Sequence, residues 1–205
     1  MVGNDIVDLK QAAVESHWQR KGFLHKVFTP EEISYIRNSD DKSRMVWRLW
    51  SMKESAYKIN VQQYNRRFFN PKKIACTFLD ALHGVVKIDH DDYHTLSTIN
   101  RFFIYTVAVS QKTDKIQNDC FEIDTATYNT QSKTSHSKLK AAISQRLHIK
   151  NEHISVKKSI FGIPRLYKNE NLLDIDCSLT HHGNYGAYAY FAGHGIQEIT
   201  KIRYC

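Results

Sequence analysis

The chain has 205 residues, 41% of them hydrophobic and 12% aromatic, with only 8 glycines and 3 prolines; this excludes a disordered or fibrous chain and suits one domain or two small ones. A formal net charge of +8 favours an anionic partner, whether nucleic acid, acidic membrane, acidic protein or polyphosphate. Cys76, Cys120, Cys177 and Cys205 are widely spaced without a C-x-x-C pair, no apolar run reaches the about 20 residues of a membrane span, and no basic-then-apolar leader opens the sequence; zinc, a disulfide framework and a membrane are therefore not expected, and the expected compartment is the reducing cytoplasm.

Val2, Ile6, Val7 and Leu9 form the first strand pattern, and Asp5 is the odd residue inside it. A buried bare carboxylate costs several kcal/mol, so Asp5 either caps a turn or meets a partner or cation. Strand alternation turns Asp8 to the other side. From Lys10 to Lys26 the chain mixes Ala12, Ala13, Val14, Trp18, Phe23 and Leu24 with Arg20, Lys21, His25 and Lys26, so one face can pack while the other stays basic. Thr29-Pro30-Glu31-Glu32 is a capping box that starts a short helix, with Thr29 at the N-cap and Glu32 at N3; capping accounts for Glu32 better than a role beside a site. Asn38-Ser39-Asp40-Asp41 breaks the chain before a long helix.

On that helix, at about 100° per residue, Met45, Leu49, Met52, Ala56 and Ile59 share a core-facing stripe, and Arg44, Arg48, Ser51 and Ser55 share a polar arc a quarter turn away. Glu54 falls on neither. It sits beside Trp47 and Trp50, preceded by Lys53 and followed one turn later by Lys58. One reading is an i,i+4 ion pair on a solvated face; the other, suggested by the two indoles, is a site.

Beyond it, Arg66, Arg67, Lys72 and Lys73 surround Phe68 and Phe69, an interleaving that also suits nucleic acid, although no nucleic-acid module accompanies it. Strand patterns follow at Ile74 to Leu79, Val85 to Asp89, Tyr93 to Ile99 and Phe102 to Val109, with a hairpin marked by Gly84. Gln111 to Ser137 turns polar, with one strand around Cys120 to Ile123, which places a linker near 125 to 135. An amphipathic helix from Ser137 to Leu147 then precedes strands at Ile154 to Ile160, Leu166 to Lys168, Asp176 to Thr180, Tyr185 to Phe191 and Ile196 to Arg203. Helix-then-sheet twice predicts an α+β fold of two halves, residues 1-125 and 126-205.

Three stretches in order carry a resemblance: Gly3-Asn4-Asp5-Ile6-Val7-Asp8, Phe28-Thr29-Pro30-Glu31-Glu32, and Trp50-Ser51-Met52-Lys53-Glu54-Ser55-Ala56-Tyr57-Lys58. Together they resemble the Gly-x-Asp, Phe-[Ser/Thr]-x-x-Glu and Trp-x-x-Lys-Glu-[Ala/Ser]-x-x-Lys signature of the 4′-phosphopantetheinyl transferases. Later, Phe161-Gly162-Ile163-Pro164-Arg165-Leu166 and Cys177 to Ala189 resemble the family's Gly-[Lys/Arg]-Pro turn and its Ser-x-Ser-His-Ser segment. The order of motifs is that of the short holo-acyl-carrier-protein synthases, but the chain is about twice their length, which implies a pseudo-dimer with its halves swapped in sequence and a monomer that builds its own site.

The resemblance implies transfer of the 4′-phosphopantetheine arm of coenzyme A to a serine of an apo carrier protein, with release of adenosine 3′,5′-bisphosphate. It implies Mg²⁺ held by Asp5 and Glu54, a type of site that takes few protein oxygens and completes its shell with water and phosphate. Glu54, Lys53 and Lys58 would carry catalysis by proton transfer and charge neutralisation. On the coenzyme side it implies Lys58, Gly162, Pro164, Arg165, Thr180 and His181, with His181 near the 3′-phosphate; taken without the family, His181 reads more readily as a structural histidine. Arg20 and Lys21 become candidate contacts to an acidic carrier. Three departures stand out: Ile163 replaces the basic residue of the turn, so that Lys158 or Arg165 must supply its charge; His182 replaces a small serine; and Val7 occupies the place of a third acidic ligand. A non-catalytic module that binds coenzyme A or a carrier protein is the alternative, and a basic nucleic-acid-binding protein a weaker one.

Overall fold

The computed structural model describes residues 1–111, 116–124 and 127–192. Strand β1 (Val2–Asp8) runs directly into helix α1 (Leu9–Glu15), because Asp8 Oδ1 accepts from the Lys10 and Gln11 amides at 2.9 and 3.1 Å and caps the helix. Helix α2 (Phe23–Val27) follows. Helix α3 (Pro30–Asn38) opens on the capping box, with Thr29 and Glu32 bonded reciprocally. Helix α4 (Lys42–Tyr64) is capped by Asp41 and stops where Asn65 takes a left-handed conformation at φ 51°.

Strands β2 (Ile74–Phe78), β3 (His83–Ile88), β4 (Asp91–Ile99) and β5 (Phe103–Val109) complete a five-stranded antiparallel sheet in the order β1-β5-β4-β3-β2. Gly84 lies inside β3, opposite Phe78; the turn before it is made by Asp80, whose Oδ1 accepts from the Leu82 and His83 amides. Leu49, Met52, Ala56 and Ile59 are fully buried in the main core, while Met45 is only partly covered.

The polar arc of α4 does not face water. Arg44 is exposed, but Arg48, Ser51 and Ser55 are buried. Ser51 Oγ donates to Asp5 O at 3.2 Å, and Ser55 Oγ lies 2.7 Å from Ser51 O and 3.0 Å from Thr106 O. Small hydroxyl residues on this arc let α4 approach β1 so closely that a Cβ on Gly3 would stand 2.1 Å from Ser55 O.

In the second half, helix α5 (Tyr128–Leu147) packs on two three-stranded antiparallel sheets. One orders β10 (Ile175–His182), β11 (Tyr185–Ala192) and β6 (Ile116–Glu122); the other orders β7 (Ile154–Lys158), β8 (Pro164–Lys168) and β9 (Asn171–Leu172). Strand β6 precedes residue 125 yet hydrogen-bonds to β11, so by sheet membership it goes with the second half. The expected linker at 125 to 135 is corrected: α5 already begins at Tyr128, because Thr127 caps it and because Gln131 and Ser135 are buried two turns and one turn before Leu139. Packing overrides the weak helix preference of this Thr, Ser and Asn-rich stretch. The strand expected at Ile196 to Arg203 lies outside the described residues.

The halves are stitched along the free edge of β1. The amides of Asn4, Ile6 and Asp8 donate to Ser178 Oγ, Thr180 Oγ1 and His182 Nδ1 at 3.1, 3.3 and 2.9 Å. Alternate side chains of β10 thus take the place that a neighbouring strand's carbonyls would fill for the Asn4, Ile6 and Asp8 amides. Among the described residues no helix is long and apolar enough to cross a membrane.

Candidate active site

Asp5 reaches the junction of the halves from β1, and Glu54 and Lys58 reach it from α4, one turn apart. Lys58 Nζ donates to Asn4 O at 2.6 Å, stands 3.5 Å from Asp5 Oδ1, and extends to Leu179 O on β10 at 3.5 Å. Thr180 Oγ1 donates to Asp5 Oδ1 at 3.3 Å, whereas Asp5 Oδ2 is buried without any partner. Burial pushes the Asp5 carboxyl up, with Lys58 opposing. Glu54 is pushed up to about 7, first by burial and then by the charge of Asp5, again with Lys58 opposing.

Two carboxylates with raised proton affinity, one of them with an orphaned oxygen, suit a cation. No group of three or more His, Cys, Asp or Glu side chains converges among the described residues. A magnesium ion, which keeps several waters and takes phosphate oxygens, fits such a two-carboxylate set. Val7, in the place of a third acid, is buried in the core.

A cavity of about 370 Å³ opens from Glu54, Tyr57 and Lys58 across to Gly162, Pro164 and His181. Its walls also include Arg67, Lys158 and Ile163, and Ser132, Ser135 and His136 from α5. His181 packs edge-on against Tyr128 with ring centroids 5.5 Å apart. Burial lowers its pKa, and the charges of Lys58 and Lys158 lower it further. A second cavity, about 460 Å³, is lined by Asp5, Val7, Val27, Trp47, Trp50 and again His181. Glu54 therefore faces the first cavity while its neighbouring indoles face the second.

The residues that build the first half of this site fall within 1–107, the stretch that matches the sequence profile of the 4′-phosphopantetheinyl transferase superfamily. The chain belongs to this superfamily. Among solved structures it is similar to the holo-[acyl-carrier-protein] synthase of Thermotoga maritima, at 11% identity and a TM-score of 0.42, over 83% of each chain. No curated protein sequence matches it.

Within this superfamily member, four expected site residues do not line the first cavity: Asp5, which lines the second, and Lys53, Thr180 and Arg165. Lys53 is fully buried: its Nζ pairs with Glu32 Oε2 at 2.8 Å and donates to Pro71 O at 2.7 Å and to Ile74 O. Glu32 in turn accepts from the Cys76 amide at 2.8 Å, so the Lys-Glu step of the motif places Lys53 in an internal ion pair that ties α3, α4 and β2 together and leaves it no donor for a substrate. Thr180 is turned toward β1 by its bonds to Ile6 and Asp5. Arg165 is not among the lining residues, and Lys158 takes the position at the cavity wall.

The structure also explains His182 and Asp8. With Nδ1 accepting from the Asp8 amide, His182 carries its proton on Nε2 and donates to Glu15 Oε2 at 3.1 Å, latching β10 to α1. Asp8 Oδ2 accepts from the Asn184 amide at 3.0 Å, so both of its oxygens are engaged structurally. Arg67 and the α5 residues went unread as site residues; a Gln131-Ser135-Leu139-Ile143 spacing of four is the signal for the α5 face, legible only if buried polar residues are counted with the apolar ones. Arg20 and Lys21 are exposed near α2.

Proposed function

We propose that this superfamily member transfers the 4′-phosphopantetheine arm of coenzyme A to a serine hydroxyl of an apo carrier protein, with Mg²⁺, and releases adenosine 3′,5′-bisphosphate. The observation that carries the reading is a cation-rich cleft shared by both halves and lined by Glu54 and Lys58, with Lys58 reaching Asp5 and its buried, unpartnered Oδ2. Asp5 and Glu54 would hold the metal, which when bound neutralises the pyrophosphate.

The remaining steps belong to the chain's own side chains. Lys58, fixed by Asn4 O and Leu179 O, directs its charge at the phosphate oxygens and stabilises the negative charge that grows on the leaving group. Glu54 takes the proton of the serine hydroxyl as the new oxygen–phosphorus bond forms and the bond to the departing bisphosphate breaks. His181, Gly162 and Pro164 orient the nucleotide end. The exposed Arg20 and Lys21 supply positive charge toward an acidic carrier.

The test is the intact mass of an apo carrier protein incubated with the chain, coenzyme A and Mg²⁺. The expected outcome is a gain of one phosphopantetheine arm that EDTA abolishes. Coenzyme A binding without any mass gain across several carrier types would instead support a binding module.

A further inference from the structure

Ile163 leaves the wall of the cleft without the basic side chain its turn would otherwise carry, and it is itself only 5% exposed there. A charge arrives instead from the other half of the molecule. Arg67, in the segment between α4 and β2, crosses the cleft; its Nε donates to Phe161 O at 2.6 Å, and its Nη2 lies so close over Gly162 that a Cβ there would approach it to 2.0 Å. Gly162 has φ +75°, so the backbone favours glycine at this point. The neighbouring Arg66 is paired with Asp89 at 3.0 Å, whereas Arg67 has no carboxylate at ion-pair distance among the described residues.

Lys158 ends β7 opposite Pro164, at the base of the same turn. The lining thus brings together Lys58, Arg67 and Lys158 with the imidazoles of His136 and His181, against the single carboxylate of Glu54. The crowding of positive charge is felt by both imidazoles: after burial, Lys158 is the next cause lowering His136, and Lys58 and Lys158 the next lowering His181. Lys58 is committed to the Asp5 and Glu54 end. Arg67 and Lys158 remain at the turn end for a second anion, and a guanidinium with its Nη groups free is built to take a phosphate monoester through two parallel hydrogen bonds.

We propose that Arg67, assisted by Lys158, binds the 3′-phosphate of coenzyme A, so that an arginine of the first half sets the preference for the 3′-phosphorylated nucleotide in place of the charge absent at Ile163. This rests on the reading of the cleft as a coenzyme A site. Calorimetry of the full chain with coenzyme A and with dephospho-coenzyme A, which lacks only that phosphate, tests it. The wild-type chain binds coenzyme A more tightly; Arg67→Ala loses about tenfold or more in affinity for coenzyme A but less than about twofold for dephospho-coenzyme A, and Lys158→Ala shifts in the same direction. Arg67→Lys keeps part of the preference and carries the test if Arg67→Ala unfolds, as monitored by thermal melts. Equal weakening toward both ligands would reduce Arg67 to a structural clasp and overturn the proposal, as would a wild-type chain indifferent to the 3′-phosphate. A folded wild-type chain that binds neither ligand would overturn the coenzyme A reading itself.

Discussion

Glu54 shows how one residue's environment converts into a measurable property of the whole chain. Its carboxyl is raised from an ordinary 4.5 to about 7 in the fold. Between those two pH values the folded protein holds a proton that the unfolded chain has released, so raising the pH favours unfolding. In metal-free buffer the contribution of Glu54 is therefore most favourable near the lower value and declines as the pH rises through 7, by at most about 3 kcal/mol. Thermal melts in EDTA across this range should show the decline in the wild-type chain and its loss in Glu54→Gln, with the variant gaining relative stability above pH 7. Superimposable pH profiles for the two would refute the buried, Asp5-coupled carboxyl. Lys53 marks the limit of motif reading at this scale. Its neighbour Glu54 faces the cleft, and a one-residue step on a helix turns a side chain by about 100°, which here directs Lys53 to Glu32 in the core.

At the scale of elements, α4 is covered nearly all round: by the five-stranded sheet along Leu49, Met52, Ala56 and Ile59, and by β1 along Ser51 and Ser55. The apolar stripe was legible from spacing. The burial of the serine arc was not, because small polar residues look alike whether they face water or a close backbone. Gly3 is the contact that decides it, and Gly3→Ala forces a methyl into Ser55 O. This variant is expected to lose about 2 kcal/mol or more in urea unfolding, and to weaken Mg²⁺ binding because Asp5 and Glu54 ride on the two elements pushed apart. Unchanged unfolding midpoints would show that α4 and β1 sit farther apart than described. The β1 edge follows the same logic: Ser178, Thr180 and His182 alternate visibly along their strand, but that they serve as acceptors for β1 depends on the two sheets meeting there.

For the whole molecule, a single chain supplies Glu54 and Lys58 from one half and Lys158, Gly162 and His181 from the other around one cavity, and Lys58 reaches Asp5, which lines the second. On the proposed reading such a chain completes its site without a second copy. Phosphopantetheine transfer per chain is therefore expected to stay constant on dilution from micromolar to nanomolar protein, with sedimentation reporting a monomer; a specific activity that falls with dilution would show that another copy contributes.

The sequence by itself determined the α+β class, the long helix α4, the strands of the five-stranded sheet, the capping box at Thr29 and the superfamily, because these follow from local periodicity, cap chemistry and the spacing of short motifs. Tertiary structure alone decided which polar side chains were sealed inside and which met across the cleft. Lys53 and Thr180 turned inward, the polar stretch before Ser137 became the buried start of α5, and Arg67 crossed to Phe161. Each outcome depends on a partner many residues away, and the free energy of a polar group is set by whether such a partner waits for it in the interior, which no local pattern records.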